Sequence, residues 1–378
     1  MKILMVSMPT LHFFRWANQL QDAGHEVYWF DVTGMSKPVS KISWIKQRIN
    51  WKLKWEYPGR IFIKNKLPMF YQFIQQFNEK DVAVEFEKYL KEVKPDFVHS
   101  FALYVSCTPI ISIMEKHPQQ KWIYSSWGSD LFYFQNEPAY LKDIKRVLPR
   151  IDYLFTDCKR DYEIAKQYGF TGAFLGVFPG GGGFQLNEME KYKLPISQRK
   201  TILIKGFQGR SGRAIPVLKA IELLKEKLET YEIVVFGADP QTFDFVKQSP
   251  LKNWGNFDIL GKIPHEEVLK LMGKSLIYIG NSNSDGMPNT MLEAIFMDAF
   301  PVQSNPGGVT AELIRNGVNG LLIEDCENVE QIALVIASSL SSNYALALAD
   351  NIETAHQLSY DKIKGEVEQV YLKLQQLS

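Results

Sequence analysis

The sequence predicts an α/β protein made of two doubly wound domains, each with a parallel sheet covered by helices. Three observations support this class. Patterns of buried strands and amphipathic helices alternate along the chain, which is typical of parallel sheets. The 378 residues are enough for two domains of ordinary size. Four consecutive glycines at 180–183 interrupt any helix or strand and mark a boundary near the middle.

Composition narrows the class of protein further. With 46% hydrophobic and 22% charged residues, the chain resembles ordinary soluble globular proteins, and its net charge of +1 argues against a dedicated nucleic-acid binder. Its three cysteines lack C-x-x-C spacing, so we expect no disulfide framework, no zinc site and a reducing cytoplasm. The apolar start is too short for a secretory signal, and no stretch of about 20 apolar residues is present, so we expect no integral membrane protein.

The first half opens with a β-α-β unit: a strand at 2–7, a helix at 11–23 closed by Gly24, and a strand at 26–32. Ligands of such sheets bind at the carboxyl ends of the strands. The remaining elements predicted in this half are strands starting near 94 and 121, a strand at 152–156 and a helix at 161–168.

The segment 37–71 holds nine Lys or Arg residues, a single acid, Glu56, and many aromatic rings. This composition suits the surface of an anionic membrane, where cations are attracted and Trp and Tyr rings settle. A single-stranded nucleic acid and a solvated helical insertion whose rings pack on its own domain remain alternatives. The residues predicted to contact the membrane are Trp44, Lys46, Trp51, Lys52, Lys54 and Trp55.

The second half repeats the alternation with a strand at 201–205, a glycine loop and a helix at 215–227. Three cations near this loop, Lys205, Arg210 and Arg213, can neutralise a diphosphate, although a solvated loop is the alternative. The later elements predicted here are a strand at 231–237 and helices at 329–340 and 360–374.

The stretch 281–312 combines a loop, a helix start and a second glycine loop. An apolar helical period begins near Asn289, and unpaired N–H groups at such a helix start attract an anion. Asp285 and Glu293 flank this position, and their carboxylates suit hydroxyl groups. Alternatively, the two acids merely complement the helix dipole.

The run DGMPNTMLE at 285–293 resembles the E-G-x-P-N-x-x-L-E signature of retaining nucleotide-sugar glycosyltransferases with the GT-B fold, family 4. This resemblance implies two Rossmann-like domains with a cleft between them, the first for acceptor and the second for donor. Other segments that resemble the family are GHEV at 24–27, KPDFVH at 94–99, NPGG at 305–308 and NGVNGLL at 316–322.

The resemblance assigns roles within the donor domain. Glu293 binds the ribose, Asp285 meets the hydroxyls of the donor sugar, and the N–H groups between them hold phosphate. Asp285 is a departure, because the family has Glu there. His265, beside the segment that meets the base, is interpreted as a neighbour of a helix cap. The predicted donor-binding residues are Glu293, Gly286, Met287, Asn289, Thr290, Met291, Leu292, Lys205, Gly237 and Ile263.

In the first domain, WGSD at 127–130 resembles the H-G-x-D segment near the reacting carbon. Trp127 replaces His and can stack on a sugar, whereas Gly128 and Asp130 match. His12 lies in the loop that the resemblance places against the acceptor, with packing as the alternative role. The predicted acceptor side comprises His12, Trp127 and Gly128, and the predicted catalytic residues are Asp285, Arg210, Arg213 and Asp130.

We therefore expect a retaining hexosyltransferase that moves a sugar from a UDP- or GDP-linked donor to a glycan or lipid-linked acceptor in cell-surface polysaccharide biosynthesis. No D-x-D pair is present, so we expect neither a metal nor a cofactor. The expected location is the cytoplasm, peripheral to the inner face of the cytoplasmic membrane. The alternatives are a GT-B sugar-nucleotide epimerase or hydrolase and a non-catalytic nucleotide-sugar-binding partner.

The expected organisation has four parts. An acceptor-binding domain at 1–180 contains the basic and aromatic insertion. A linker at 181–199 leads to a donor-binding domain at 200–355. A terminal helix at 356–378 crosses back to the first domain, as the resemblance implies for this fold.

Overall fold

The computed structural model describes residues 1–376, and the chain divides into two compact units. Among the described residues, the first unit contains Met1–Asp157, Asp161–Gly182 and 364–376. The second contains Cys158–Arg160 and Gly183–Ile363. The main division thus falls two residues after the expected end of the first domain.

A parallel sheet forms the centre of the first unit, with strand order β3-β2-β1-β4-β5-β6-β7 in the described residues. Its strands are β1 Lys2–Ser7, β2 Glu26–Asp31, β3 Lys46–Arg48, β4 Phe97–Phe101, β5 Lys121–Ser125, β6 Tyr153–Thr156 and β7 Ala173–Val177. The helices of this half are α1 Leu11–Asn18, α2 Arg60–Lys66, α3 Pro68–Asn78, α4 Val82–Val93, α5 Ile111–Lys116, α6 Pro138–Val147 and α7 Lys159–Gln167.

The second unit has its own parallel sheet, with order β10-β9-β8-β11-β12-β13 among the described strands. These strands are β8 Thr201–Lys205, β9 Glu232–Phe236, β10 Phe257–Ile259, β11 Ser275–Gly280, β12 Phe300–Ser304 and β13 Leu321–Ile323. The later helices are α8 Leu186–Glu190, α9 Ala214–Leu223, α10 Pro240–Gln248, α11 His265–Lys274, α12 Asn289–Phe296, α13 Val329–Ser339, α14 Tyr344–Gln357 and α15 Tyr360–Gln376.

Both sheets are Rossmann-like, and hydrophobic runs in the sequence account for their central strands. Residues 3–6 of β1 and 202–204 of β8 are fully buried, as expected for central strands covered on both faces. In each sheet the chain first builds outward in one direction from a central strand and then continues on that strand's other side. The resulting switch point is where such sheets bind ligands.

Helix α1 is shorter than the sequence predicts. Thr10 caps its start, with its hydroxyl oxygen accepting the N–H of Phe13 at 3.2 Å. The helix ends at Asn18, whereas the apolar period predicts a continuation to residue 23. The residues after Asn18 form turns, with Asp22 and Gly24 at positive φ.

The glycine run at 180–183 is packed, although its composition indicates flexibility. All four residues are buried. A Cβ on Gly180 would lie 3.0 Å from the Trp127 indole, and one on Gly182 would lie 2.9 Å from the Gln19 amide. Glycine is therefore required here for close approach within the first unit as well as for the turn.

The structure corrects the predicted role of Trp51. This residue is 4% exposed, and its ring stacks on Phe30 with centroids 5.1 Å apart. Its indole N–H donates to the carbonyl oxygen of Asp31 at 2.8 Å. Trp51 is a core residue and is not available for contact with a membrane, because its apolar ring is already covered by β2.

The other residues predicted to touch a membrane have varied surroundings. Trp44 is half-buried and donates its indole N–H to Asn18 at 2.8 Å. Lys46 forms an ion pair with Glu26, and Trp55 is 48% exposed. The two remaining lysines contact the C-terminal end of α3: Lys54 donates to the carbonyl oxygen of Phe77 at 2.7 Å, and Lys52 pairs with Glu79 at 3.2 Å.

None of the individual helices within residues 1–376 has the length and apolar composition needed to cross a bilayer. Taken together, α13 and α14 meet the same criteria of length and composition, but the pair is bent by 98°.

Candidate donor site

Two loops meet at the switch point of the second sheet, after the neighbouring strands β8 and β11. The N–H of Arg213 donates to the carbonyl oxygen of Asn281 at 2.9 Å, and the N–H of Asn283 donates to that of Ser211 at the same distance. These backbone hydrogen bonds join the cationic loop predicted to hold a diphosphate to the acidic loop that precedes α12. The two predicted parts of the donor site are therefore adjacent.

Lys205 and Asp285 bring opposite charges to this junction. Lys205 is the last residue of β8, and Asp285 lies partly buried in the loop after β11. Burial raises the pKa of the Asp285 carboxyl group, while the Lys205 charge and the N–H of Gly286 act in the opposite direction. The site thus combines a carboxyl group with a cation suited to phosphate.

Helix α12 begins at Asn289, as the sequence predicts, with Pro288 at its cap position. Its predicted apolar face is buried at Met291, Leu292, Ile295 and Phe296. Glu293 is also buried, at 8% exposure. Its Oε1 lies 2.7 Å from Nε2 of His265, the first residue of α11. The carboxylate predicted to bind ribose is therefore held by a neighbouring helix.

Three buried amide oxygens near the ends of β11 and β12 have no hydrogen-bond partner within residues 1–376. They are Oδ1 of Asn281, Oδ1 of Asn283 and Oε1 of Gln303. Unpaired buried acceptors are costly, so each represents a group that a polar ligand can satisfy. Gly280 lies against one of these amides, because a Cβ at this position would lie 2.1 Å from Oε1 of Gln303.

The two arginines predicted to stabilise the diphosphate differ in the structure. Arg213 is directed back onto its own loop, donating from Nη1 to the carbonyl oxygens of Gly209 at 3.1 Å and Gly212 at 2.7 Å. It also pairs with Glu327. Arg210 is exposed at the tip of the loop. Arg213 therefore holds the loop in shape, and Arg210 has the more accessible guanidinium group.

Gly237 and Ile263 lie on the flank of the site. Gly237 follows β9 with φ of +64°, and its N–H donates to the carbonyl oxygen of Gly261 at 3.1 Å. This hydrogen bond connects the end of β9 with the loop that leads to α11 and contains Ile263. The loop predicted to meet the base thus leads directly to His265. Among the other predicted donor-binding residues, Gly286 is buried, and Met287 and Thr290 are partly buried.

The predicted acceptor side belongs to the first unit. The rings of His12 and Trp127 lie 6.3 Å apart. Gly128 has φ of +62°, and its N–H donates to Oδ2 of Asp157 at 2.8 Å. The structure therefore brings the three predicted residues, His12, Trp127 and Gly128, to one place within this unit.

Asp130, predicted to be catalytic, is 3% exposed and lies beneath that loop. Its Oδ2 accepts the N–H of Leu103 at 2.6 Å and the hydroxyl of Tyr124. Burial raises the pKa of Asp130 to about 7. Enclosed in this way, the carboxyl group positions the loop around it, and the catalytic role of Asp130 stays a prediction.

Two contacts of the second unit were not predicted. For His265 the sequence predicts only a place beside a helix cap, and its position next to the loop predicted to meet the base is the signal for a role in the site. Arg160 donates from Nη2 to the carbonyl oxygen of Asp285 and from Nη1 to that of Pro306, both at 2.7 Å. Nothing in the local sequence around Arg160 indicated that it would join these two loops.

Family models of glycosyltransferases match both halves of the chain. Residues 189–362 match the family model of glycosyl transferases group 1, and residues 2–157 match that of glycosyl transferase 4-like proteins. Together, these ranges include both sheets. A curated relative is TuaC of Bacillus subtilis, which is provisionally described as a glycosyltransferase of teichuronic acid biosynthesis. It is 22% identical over 58% of this chain and 56% of its own length, so the match spans little more than half of that protein.

Solved structures share the fold. Sucrose-phosphate synthase of Thermosynechococcus elongatus superposes with a TM-score of 0.72 at 16% identity, over 100% of both chains. HepE of Anabaena, solved in complex with UDP-glucose, superposes with a TM-score of 0.68 at 13% identity, also over 100% of both chains. With both halves of the chain matched, the protein belongs to the group 1 glycosyltransferases with the GT-B fold and resembles family 4.

Proposed function

We propose that this enzyme is a retaining, metal-independent glycosyltransferase that moves a sugar from a nucleotide-sugar donor, UDP- or GDP-linked, to a glycan or lipid-linked acceptor. The proposed setting is the assembly of a cell-surface polysaccharide at the inner face of the cytoplasmic membrane. The donor complex of HepE with UDP-glucose supports a UDP-sugar, and the description of TuaC supports a surface polymer.

The junction of the β8 and β11 loops carries the proposal. It places Lys205 beside Asp285 and leads into the start of α12, where Glu293 lies one turn further on. Cations and helix N–H groups suit a diphosphate, whereas carboxylates suit sugar hydroxyls. A nucleotide sugar offers both kinds of group in one molecule.

In the proposed reaction, the bond between the anomeric carbon and the diphosphate oxygen breaks while the acceptor oxygen bonds to the same face of that carbon. Negative charge develops on the leaving diphosphate, where Lys205, Arg210 and the N–H groups near Asn289 would stabilise it. The acceptor's proton passes to a diphosphate oxygen. Asp285 would orient the donor sugar through its hydroxyls.

Binding and transfer assays test the proposal. Calorimetry with UDP, GDP, ADP and CMP is expected to identify one nucleotide that binds best. With the matching nucleotide sugar and a glycan acceptor, NMR should show that the product has the same anomeric configuration as the donor. An inverted product would contradict retention. If the rate of donor hydrolysis or epimerisation is the same with and without an acceptor, the result would instead support the epimerase or hydrolase alternative.

A separate assay tests metal independence. We expect EDTA to leave the transfer rate nearly unchanged, because the proposed charges on the diphosphate are met by protein cations and by the helix start. Activity that EDTA abolishes and Mg²⁺ or Mn²⁺ restores would overturn this part of the proposal.

A further inference from the structure

Exposed apolar side chains are concentrated on the helical hairpin formed by α2 and α3. Among residues 1–376, twenty large hydrophobic side chains are exposed, and eight of them fall within residues 55–77. Such a concentration of exposed apolar side chains marks an interaction site. The eight residues, between 48% and 84% exposed, are Trp55, Ile61, Phe62, Leu67, Met69, Phe70, Phe73 and Phe77.

Helix α3 exposes its apolar side, whereas an ordinary surface helix buries it. Met69, Phe73 and Phe77 recur every four residues, so they lie along one face, and that face is exposed. The buried residues of α3 are both polar, Gln75 and Asn78. The apolar face therefore needs a partner outside this chain.

Hydrogen bonds fix this orientation. Asn78 donates from Nδ2 to the carbonyl oxygen of Trp55 and accepts the N–H of the same residue, both at 3.0 Å. Gln75 donates to the hydroxyl of Tyr57 at 3.0 Å. Because its polar side is anchored to the preceding segment, α3 cannot turn its phenylalanines inward without breaking these contacts.

The charges of the hairpin indicate which kind of partner covers its apolar face. Residues 57–78 contain three cations, Arg60, Lys64 and Lys66, and no Asp or Glu. Within the described part of the chain, none of the three cations forms an ion pair. Protein interfaces are depleted in lysine, whereas the surface of an anionic bilayer combines an apolar interior with negative headgroups.

We propose that the α2–α3 hairpin binds an anionic lipid bilayer, with Phe70, Phe73 and Phe77 among the acyl chains and Lys64 and Lys66 at the headgroups. This inference deepens the proposed membrane setting and rests on it. It moves the contact from the tryptophans at 44 and 51 to a helix face. It also places the enzyme where a lipid-linked acceptor is held.

A flotation assay with purified full-length protein tests the proposal. The probes are vesicles of phosphatidylcholine alone and vesicles of phosphatidylcholine with phosphatidylglycerol. The wild-type protein is expected to float with the anionic vesicles and to lose most of this binding at about 0.5 M salt, where charges are screened beyond a few ångströms. Absence of binding to either vesicle would overturn the proposal.

Paired variants locate the surface. Phe73→Ser with Phe77→Ser should lower the partition coefficient at least about tenfold, because two exposed rings no longer enter the acyl region. Lys64→Glu with Lys66→Glu should have the same effect at low salt. The matched control, Leu334→Ser, changes another exposed apolar residue and should bind like the wild type. Unchanged binding of both paired variants would overturn the proposal.

Two further measurements separate the alternatives. Light scattering of the wild type and of the Phe73→Ser, Phe77→Ser variant should give the same mass. A change from dimer to monomer would instead make the face a contact between copies of the chain and overturn the proposal. Transfer to a soluble acceptor should be unchanged in this variant. If the wild type binds vesicles but transfers no sugar, the proposed function fails while the hairpin assignment stands.

Discussion

The imidazole Nε2 of His265 lies 2.7 Å from Oε1 of Glu293, so the first residue of α11 holds the carboxylate that α12 presents. Glu293 is almost buried, whereas the side chain of His265 is 48% exposed. A hydrogen bond of this kind orients the carboxylate that is predicted to bind ribose. Two helices that follow different strands thereby fix the position of one carboxylate.

The substitution Glu293→Gln is expected to weaken nucleotide binding by about 1–2 kcal/mol, because a charge-assisted hydrogen bond to a ribose hydroxyl becomes a neutral one. Calorimetry with the cognate nucleoside diphosphate measures the loss. The melting temperature serves as a control for folding. Unchanged affinity would remove Glu293 from the site and leave it the role of complementing the helix dipole.

The variant His265→Ala is expected to weaken nucleotide binding only when Glu293 is present, because His265 acts by orienting that carboxylate. A double-mutant cycle measures this dependence, and contacting residues typically show a coupling of about 0.5–3 kcal/mol. Rescue by His265→Gln, which can still donate to Oε1, would support a positioning role. Additive losses in the double variant would show that His265 acts independently of Glu293.

Different outcomes are expected for the two arginines of the β8 loop. Arg210→Ala should lower turnover about 10²-fold without changing the melting temperature, because its exposed side chain is proposed to meet developing charge on the diphosphate. Arg213→Ala should lower the melting temperature as well, since Arg213 bridges Gly209, Gly212 and Glu327. If the two variants had the same turnover and the same melting temperature as each other, this division of roles would be contradicted.

The two sheets and the start of α12 could be predicted from the sequence because each rests on local patterns. Strands buried on both faces read as continuous apolar runs, such as residues 3–6. Helix α12 begins where Pro288 and the apolar period place it. Both signals lie within a few residues of the element that they describe.

The surroundings of single side chains could not be predicted in the same way. Composition alone does not distinguish Trp51, which stacks on Phe30, from Trp55, which is exposed. The apolar period of α3 predicts an amphipathic helix, yet the period does not say which face points outward. The outward face is decided by the hydrogen bonds of Gln75 to Tyr57 and of Asn78 to Trp55. These partners are too distant in sequence for a local pattern to reveal them.

The pKa of Asp130 leads to a prediction about stability and pH. Burial raises this pKa to about 7, well above the value of an Asp in an unfolded chain, so the folded protein keeps a proton that the unfolded chain releases. The contribution of Asp130 to stability is therefore complete at a pH below about 4 and is lost as the pH rises toward 7. The loss amounts to at most about 1.4 kcal/mol per pH unit for one proton.

Asp130→Asn removes this titration while keeping the shape of the side chain. The free energy of unfolding of the wild type, measured relative to that of the variant, is expected to fall between pH 5 and pH 7 and to level off above that range. Urea unfolding at intervals of half a pH unit measures the difference. Asp244→Asn, which alters a carboxyl group that is 65% exposed, is the matched control and should show no comparable slope. A difference between wild type and Asp130→Asn that stays constant with pH would show that Asp130 is already ionised in the folded protein, and its hydrogen bonds to Leu103 and Tyr124 would then be those of a carboxylate.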